Sequence, residues 1–565
     1  MRRIIPAGIL ALSVLSCAAS SHAQLTAARI RRAAAEPQSW LTYSGTYDGQ
    51  RFSALKQITR ENVARLTARW IFQSPTPGKF EATPLVVDGV MYVTAQDNHA
   101  YALDPRSGRA IWHYQRTLPE KVRACCGRVN RGFAMLGDRL FLATLDAHVV
   151  ALDSKTGNVL WDAEAADYSK GYSFTVAPLV VKDKVIVGVS GGEDGIRGFI
   201  DAYEAETGKR AWRFYTIPAP GEPGSESWEG NSWTRGGAPA WVTGTYDPDL
   251  NLIYWPTGNP SPSDDGSDRH GDNLYSNSVV ALDADTGKLK WHFQFTPFDL
   301  HDWDATQVPV LVDLEIGGQL RKALVQANRN GFFYVLDRTN GKFLLGKPFS
   351  EQTWAKGLDA NGRPIVLPGT DPTEAGVRVC PGAIGGTNFM SPSYSPETGL
   401  FYVNTRVQCD VFTAKKREFV AGRTYVGSMY VPVPGEKDRG ALKAIDPKTG
   451  EVRWQFDHFS APWAGTLATA GGLVFAGDSE GSLIAFDSRT GKPLWHFPLG
   501  VPIYASPMTY MLDGNQYVAI PAGNVLMTFA LAESGGAANS SFGQPGRTCS
   551  AADRAESLDG RGIEE

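Results

Sequence analysis

Short apolar runs alternate with turn-forming residues along most of this chain, and helical periodicity is nearly absent. Seven of these runs lead into variants of one pattern, Ala-x-Asp-x-x-Thr-Gly-x-x-x-Trp. The acidic positions of the seven copies are Asp104, Asp153, Glu204, Asp283, Asp337, Asp446 and Asp487. In six copies a tryptophan stands eight residues after the acidic residue, and only the fifth copy, with Leu345 there, lacks it. The pattern predicts a β-hairpin whose turn uses a glycine with positive φ and whose second strand carries the tryptophan.

A second pair of β-rich runs precedes most of these hairpins, as at 82–93 and 176–189, which predicts about four strands per unit. Glu204 and Asp283 are 79 residues apart, where we expect a long insertion. Asp337 and Asp446 are 109 residues apart, where we expect a unit without the marker. We therefore predict an all-β, eight-bladed β-propeller over residues 24–531, with the tryptophans packed between blades, because radial closure removes exposed sheet edges.

The two ends of the chain differ from the repeats. Residues 1–23 combine Arg2 and Arg3, an apolar stretch and a small-residue site at Ala23, which predicts a cleaved signal peptide and an exported protein. Cys17 leaves lipidation open as a minor alternative. Residues 532–565 are rich in Gly, Ser and acidic residues without periodicity, so we predict a disordered tail.

Charge and short motifs exclude several classes of function. The formal charge is −4, or −6 without Arg2 and Arg3, and no basic stripe favours nucleic acid or an anionic membrane. Gly188 to Gly192 match the Gly-x-Ser-x-Gly pattern of serine hydrolases, but another strand and hairpin follow where that motif requires a helix. The nine histidines show no paired metal spacing, and neither a Walker loop nor HExxH occurs.

Five cysteines remain outside the signal peptide, and their natural pairings are Cys125–Cys126 and Cys380–Cys409, with Cys549 left over. Adjacent Cα atoms lie ~3.8 Å apart, which is shorter than the usual disulfide span. Chemistry alone therefore leaves two free thiols at 125 and 126 as an equal alternative. No Cys-x-x-Cys-His occurs in the sequence, so a redox enzyme of this kind would pass its electrons to a separate carrier.

Several longer segments identify a family. They are CCGRVNRG (125–132), VSGGEDGIRG (189–198), TGNPSP (257–262) followed by GDNLYSNS, DWDATQ (302–307) and NRNGFFYVLDRTNG (328–341). With the tryptophan repeat, they make the chain resemble the PQQ-dependent (pyrroloquinoline quinone) alcohol dehydrogenases of the methanol and ethanol dehydrogenase type, without a fused cytochrome c domain. The resemblance implies an eight-bladed propeller that holds PQQ and Ca²⁺ in its central funnel.

Position by position, the resemblance implies a quinone lying between a Cys125–Cys126 disulfide and Trp241, with Arg329 at the quinone oxygens. Further contacts with the cofactor are implied for Glu81, Arg131, Thr175, Ser190, Gly191, Gly192, Asn388 and Trp463. We expect Cys380–Cys409 to be a structural disulfide that braces an insertion.

The resemblance also implies a metal site at Glu193, Asn259 and Asp304. Oxygen ligands suit a hard cation such as calcium, and three are fewer than the six to eight that calcium takes, so the cofactor would supply the others. Thr306 stands where lanthanide-using relatives carry an additional aspartate, which favours calcium over a lanthanide.

Asp304 is the general base that the resemblance implies, in preference to its neighbours Asp302 and Asp299, because the Trp-Asp pair is the part that matches the family. The expected partners are a small-molecule or polyol alcohol and a soluble periplasmic cytochrome c, in a periplasmic enzyme without a membrane span. The alternative is a non-catalytic propeller scaffold of the outer-membrane assembly type. The adjacent cysteines and the three oxygen ligands favour the enzyme, because a scaffold has no use for them.

Overall fold

The computed structural model describes residues 24–427 and 430–532. The predicted signal peptide at 1–23 and, apart from Ala532, the predicted tail at 532–565 lie outside the described residues. Cys17 and Cys549 lie there too.

Helices are short within the described residues, as the sequence predicts. The α-helix is Ala27–Arg31, and the 3-10 helices are Ala33–Ala35, Val63–Arg65, Gln96–Asn98, Tyr168–Lys170, Gly192–Asp194, Ser225–Ser227 and Ser232–Arg235. No helix in the described part of the chain is long and apolar enough to cross a membrane.

Eight sheets of four or five strands make up most of the described chain. The first sheet consists of Leu85–Val87, Val90–Thr94, His99–Leu103 and Ala110–Gln115, and the second of Ala134–Leu136, Arg139–Ala143, His148–Asp153 and Val159–Glu164. The third consists of Leu179–Val181, Lys184–Gly188, Phe199–Glu204 and Arg210–Tyr215, and the fourth of Thr245–Asp247, Leu252–Pro256, Ser278–Asp283 and Leu289–Gln294. The fifth sheet consists of Val310–Ile316, Gln319–Ala327, Phe332–Asp337 and Phe343–Pro348, and the sixth of Ser393–Ser395, Leu400–Val407, Arg439–Asp446 and Glu451–His458. The seventh consists of Thr466–Thr469, Leu473–Gly477, Ser482–Asp487 and Pro493–Pro498, and Phe52–Ser53 pairs in parallel with its first strand. Each of these seven sheets contains one copy of the sequence marker.

The eighth sheet is built from the two ends of the described chain. It pairs Leu66–Gln73 with Val525–Leu531, followed by Asn515–Ala522 and Met508–Leu512. The expectation of an unmarked blade between Asp337 and Asp446 is therefore wrong. That interval holds a two-stranded sheet and a three-stranded sheet, formed by Ala355–Leu358 and Pro364–Val366, and by Val377–Val379, Asp410–Phe412 and Tyr430–Pro432. The marker is absent from the eighth sheet because no local turn connects strands from opposite ends of the chain.

The repeated tryptophans pack one copy of the repeat against the next. Trp112 donates from Nε1 to the Ser154 carbonyl at 2.9 Å, and a carbon added at Gly157 would lie 2.8 Å from the Trp112 ring. The eighth sheet supplies an equivalent in Trp70, whose Nε1 donates to the Pro105 carbonyl at 2.9 Å. These contacts agree with the prediction that the tryptophans pack between blades, since the glycine leaves room for an indole.

The copy that lacks a tryptophan is packed differently. A carbon added at Gly450 would lie 3.2 Å from Cβ and Cγ of Lys347, whose aliphatic part occupies this position.

The inner strands of the sheets, such as His99–Leu103, are buried throughout, whereas outer strands such as Ala110–Gln115 alternate between exposed and half-buried positions. The apolar core therefore lies between sheets, and the loops between inner strands are free to carry polar groups.

A buried histidine gives a prediction for the pH dependence of stability. Burial lowers the pKa of His458 to about 4, a larger effect than the opposing ones of Glu480 and Asp457. In the unfolded chain the group takes up its proton near pH 6.5, whereas in the folded chain it does so only near the lowered value, so stability is lost as pH falls between the two. A shift of this size corresponds to roughly 3 kcal/mol. We expect the Tm of His458→Gln to fall less than that of the wild type between pH 7 and pH 4.5; equal falls would contradict this prediction.

Candidate functional site

A cavity of about 490 Å³ lies where loops from successive sheets converge. Its lining residues are Lys79, Glu81, Cys125, Cys126, Val129, Arg131, Ser173, Thr175, Ser190, Gly191, Glu193, Trp241, Ser263, Asp264, Asp302, Asp304, Arg329, Ile384, Asn388, Phe389, Val426, Tyr430 and Trp463. Residues that are hundreds of positions apart in the sequence thus share one space. All the candidate cofactor and metal residues named from the sequence line it except Gly192 and Asn259, which lie directly behind its wall.

Asp304 is held on three sides. Its Oδ1 accepts a hydrogen bond from the backbone N–H of Asn259 at 2.6 Å. Its Oδ2 accepts from Trp241 Nε1 at 3.1 Å and from a terminal guanidinium nitrogen of Arg329 at 2.8 Å. These donors orient the carboxylate at the cavity wall and join segments from three different loops.

The two neighbouring carboxylates have other partners. Asp299 is 1% exposed and accepts hydrogen bonds from the backbone N–H groups of His301 and Trp303 at 3.0 and 2.8 Å, so it caps the local turn. Asp302 lines the cavity but pairs with the other terminal nitrogen of Arg329 at 3.0 Å. Arg329 therefore bridges Asp302 and Asp304, while its Nε donates to the Ala383 carbonyl at 2.8 Å.

Burial dominates the electrostatics of the site. It raises the pKa of Asp304, and Arg329 and the hydrogen bonds from Asn259 and Trp241 act in the opposite direction. Burial raises the pKa of Asp302 well above its usual value, against the effect of Arg329. Burial and the negative charge of Asp304 raise the pKa of Glu193 to about 7. Several carboxylates thus share a space that favours an added positive charge.

A test of the metal site comes from Asn259, which is 1% exposed. Its side-chain nitrogen donates to the Pro260 carbonyl at 3.0 Å, but no hydrogen bond reaches its Oδ1 within the described part of the structure. The loop carrying Glu193 is tied to the same segment, because the Ser261 hydroxyl donates to the Gly192 carbonyl. An unpaired buried oxygen on a segment that is bonded to Asp304 and to the loop of Glu193 suits a hard cation, so these residues fit the predicted metal group.

Basic, hydroxyl and aromatic side chains on the cavity wall suit a flat, anionic cofactor. Arg131 pairs with Glu81 at 2.7 Å and donates to Thr175 Oγ1 at 2.8 Å, and its guanidinium lies 4.7 Å from the Trp241 ring centroid. The Thr175 and Ser190 hydroxyls are 3.0 Å apart. Lys79 adds a second cation at the cavity.

Both predicted disulfides are present. Cys125 and Cys126 are joined at the cavity, with Cα atoms 3.8 Å apart. Cys380 and Cys409 are joined within the insertion between Asp337 and Asp446. The pairing of Cys125 with Cys126 agrees with the disulfide that the resemblance implies.

Sequence reasoning missed several lining residues, among them Lys79, Ser263, Asp264, Phe389 and Tyr430. Asp264 carried a usable signal, because it follows closely after the TGNPSP segment. It is 3% exposed, and burial, followed by the negative charge of Asp299, raises its pKa to about 7. The others come from segments without a distinctive local pattern.

Comparison with known proteins agrees with this geometry. Residues 40–357 and 458–518 match the PQQ family described as glucose/ethanol/alcohol dehydrogenase, beta-propeller domain. The chain is 39% identical over 551 residues to quinoprotein alcohol dehydrogenase PedH of Pseudomonas putida, which covers 92% of each chain. It is 39% identical over 520 residues to the lanthanide-dependent methanol dehydrogenase of Methylacidiphilum fumariolicum, covering 86% of this chain and 85% of that protein.

Solved structures show the same relationship. The quinohemoprotein alcohol dehydrogenase of Comamonas testosteroni superposes with a TM-score of 0.85 at 36% identity, covering 90% of this chain and 83% of that chain. The all-β fold of this chain is thus that of the PQQ β-propellers, and the paired adjacent cysteines and most of the residues that line the cavity lie within the matched ranges. Fold, cavity and sequence together place this chain in the family of PQQ-dependent quinoprotein alcohol dehydrogenases.

Proposed function

We propose that this protein is a periplasmic dehydrogenase that oxidises an alcohol to the aldehyde or ketone, using PQQ and Ca²⁺ bound in the cavity and Asp304 as the general base. The observation that carries the proposal is the fixed Asp304 carboxylate beside the unpaired Oδ1 of Asn259. Glu193, Asn259 and Asp304 would hold the cation, and Cys125, Cys126 and Trp241 would lie against the quinone. The bound quinone supplies the two-electron oxidant, and the cation supplies Lewis acidity.

The residues of the chain then have distinct roles. Asp304 takes the proton of the substrate hydroxyl, and burial makes it a stronger base than an exposed aspartate by raising its pKa. The Trp241 and Arg329 donors keep its Oδ2 in place. Arg329 would also supply positive charge beside the bound oxidant.

The eight sheets support the proposal of an eight-bladed ring over residues 24–531. The sheet that combines Leu66–Gln73 with Met508–Leu512, Asn515–Ala522 and Val525–Leu531 joins the two ends of the chain. In a ring, such a sheet is the blade that closes the circle, because it contains strands from both ends of the chain and leaves no sheet edge exposed. A ring also explains why loops from all parts of the chain reach one cavity.

Calcium is the proposed cation because Thr306 supplies no carboxylate near Asp304. Thr306 is fully buried, and its hydroxyl has no hydrogen-bond partner in the described region. The alternative is a lanthanide, because one similar protein is described as a lanthanide-dependent methanol dehydrogenase and one similar structure as a europium-containing methanol dehydrogenase. We expect purified, PQQ-loaded protein to contain calcium in a one-to-one ratio with PQQ. Elemental analysis that finds a stoichiometric lanthanide instead would contradict this assignment.

A separate soluble cytochrome c is the proposed electron acceptor, since this sequence has no Cys-x-x-Cys-His for covalent haem. The predicted signal peptide supports export to the periplasm, where such carriers act. Cell fractionation tests the location. Reduction of purified cytochrome c by the loaded enzyme and an alcohol tests the acceptor.

Reconstitution tests the proposed function as a whole. We expect protein incubated with PQQ and Ca²⁺ to reduce an artificial dye with a panel of primary alcohols, and expect no reduction when either addition is left out. Failure to bind PQQ together with silence across the panel would favour the alternative, a scaffold without a cofactor.

A further inference from the structure

The cavity has one acidic group that the proposed chemistry does not use. Glu193 and Asp304 would hold the cation, Glu81 pairs with Arg131, and Asp302 pairs with Arg329. Asp264 remains. It lines the cavity, it is 3% exposed, and no hydrogen bond reaches its Oδ1 within the described residues.

The position of Asp264 is fixed by its backbone and by its neighbour. Its N–H donates to the Val426 carbonyl at 3.2 Å, and the Ser263 hydroxyl donates to the same oxygen at 3.2 Å. The carboxylate therefore belongs to an ordered loop at the cavity wall. Buried polar atoms in native proteins nearly always have a partner, so an unpaired oxygen at a cavity wall indicates a ligand.

Arg269, a buried cation from the same segment of the chain, is not available as that partner. Arg269 is fully buried, and its guanidinium donates to the carbonyls of Pro262 and Asp299 and to the side-chain oxygen of Asn273, at 2.7–3.1 Å. None of these hydrogen bonds goes to Asp264. The partner must instead enter through the cavity.

Chemistry limits what that partner can be. Asp264 repels an anion. Lys79, Arg131, Arg329 and the proposed divalent metal ion would together balance the five carboxylates that line the cavity, so no cationic substrate is needed to neutralise them. Apolar walls at Ile384, Phe389 and Val426 suit a carbon chain. A hydroxyl group fits Asp264 best because it is neutral and can donate a hydrogen bond.

We propose that Asp264 accepts a hydrogen bond from a second hydroxyl group of the substrate, so that this enzyme prefers diols and other polyols to simple alkanols. This inference rests on the proposed function, because the reacting hydroxyl must first lie at Asp304. Asp264 is then a determinant of specificity that contacts the end of the substrate remote from the chemistry.

Matched substrate pairs test the inference on the enzyme loaded with PQQ and metal. The pairs are 1-propanol with 1,3-propanediol, 1-butanol with 1,4-butanediol and 1-pentanol with 1,5-pentanediol, with 3-amino-1-propanol as a separate arm. The two equivalent hydroxyl groups of a diol give a factor of two by themselves. At the best chain length we expect kcat/KM for the diol to exceed that for the alkanol by about tenfold, within the range for one buried hydrogen bond.

The variant Asp264→Leu should reduce that ratio to about two, while its PQQ and metal content stay near those of the wild type. If Asp264→Leu does not fold, Asp264→Ala is used for the same comparison. The control is Asp265→Leu, because Asp265 is the next residue, is absent from the cavity lining, and accepts a hydrogen bond from the Ser267 N–H at 3.0 Å. Its diol-to-alkanol ratio should match the wild type.

Three outcomes would overturn the inference: a ratio near two in the wild type at every chain length, an unchanged ratio in the Asp264 variants, or a preference for 3-amino-1-propanol over the diols that these variants abolish. The last result would assign an ammonium group instead of a hydroxyl. In each case the oxidation of simple alkanols would leave the proposed function standing. If the loaded enzyme oxidised none of the alcohols, the proposed function itself would be contradicted.

Discussion

Asp304→Asn should lower kcat by about a thousandfold, within the range that loss of a general base produces. The amide cannot accept the proton of the substrate hydroxyl, but it has the shape of the carboxylate, and its one oxygen can still accept from Trp241 and Arg329 while the Asn259 N–H loses its acceptor. We therefore expect PQQ to bind nearly as in the wild type. The measurement is steady-state turnover with a dye acceptor, normalised to the PQQ content found by absorbance.

The matched control is Asp302→Asn. Asp302 lies two residues away, lines the same cavity and pairs with the same arginine at 3.0 Å, but it has no contact with Asn259 or Trp241 among the hydrogen bonds of the site. We expect its kcat to stay within tenfold of the wild type. A thousandfold loss in Asp302→Asn, together with near-normal turnover in Asp304→Asn, would transfer the role of base to Asp302.

Gly258→Ala is the second change with a large expected effect. A carbon added at Gly258 would overlap Asp304 Oδ1 and would lie 2.8 Å from Pro239 Cγ. The carboxylate must then move, and the 2.6 Å hydrogen bond from the next residue, Asn259, is broken. A displacement of about 1 Å at a reacting group costs about a hundredfold in rate, so we expect kcat/KM to fall by that factor. Cation affinity should also fall, because Asp304 and Asn259 move apart.

Gly346→Ala serves as the control for added bulk. Gly346 lies on the strand Phe343–Pro348 and does not line the cavity, and the added carbon would meet the end of the Leu358 side chain and the Phe343 ring. This variant should lose some stability but keep its kcat/KM. If Gly258→Ala were folded and fully active, the tight packing against Asp304 would have no catalytic importance.

Local chemistry explains which parts of the fold could be predicted from the sequence. The Asp-Thr-Gly turn is a short-range signal, so the hairpins of seven sheets follow from it directly. The eighth sheet joins strands from opposite ends of the described chain. Trp70 has the packing role of the other tryptophans there, but no turn precedes it to identify it.

The site shows a similar division. The residues taken from the family resemblance lie at or directly behind the cavity, because the motifs around Cys125, Glu193 and Asp304 mark specific loops. Lys79 and Tyr430 come from segments with no such motif, and only the folding of distant loops around one space brings them in. The unpaired oxygens of Asn259 and Asp264 are properties of packing, which a sequence pattern cannot express.

The metal position is the most direct test of the proposed function. Crystals of the protein loaded with PQQ and calcium, measured with anomalous scattering, should show one peak within about 2.3–2.6 Å of side-chain oxygens of Glu193, Asn259 and Asp304. The quinone should lie against the Cys125–Cys126 disulfide. A loaded crystal with no peak at these three residues, or with the cation bound elsewhere, would contradict the proposed site and the role of Asp304.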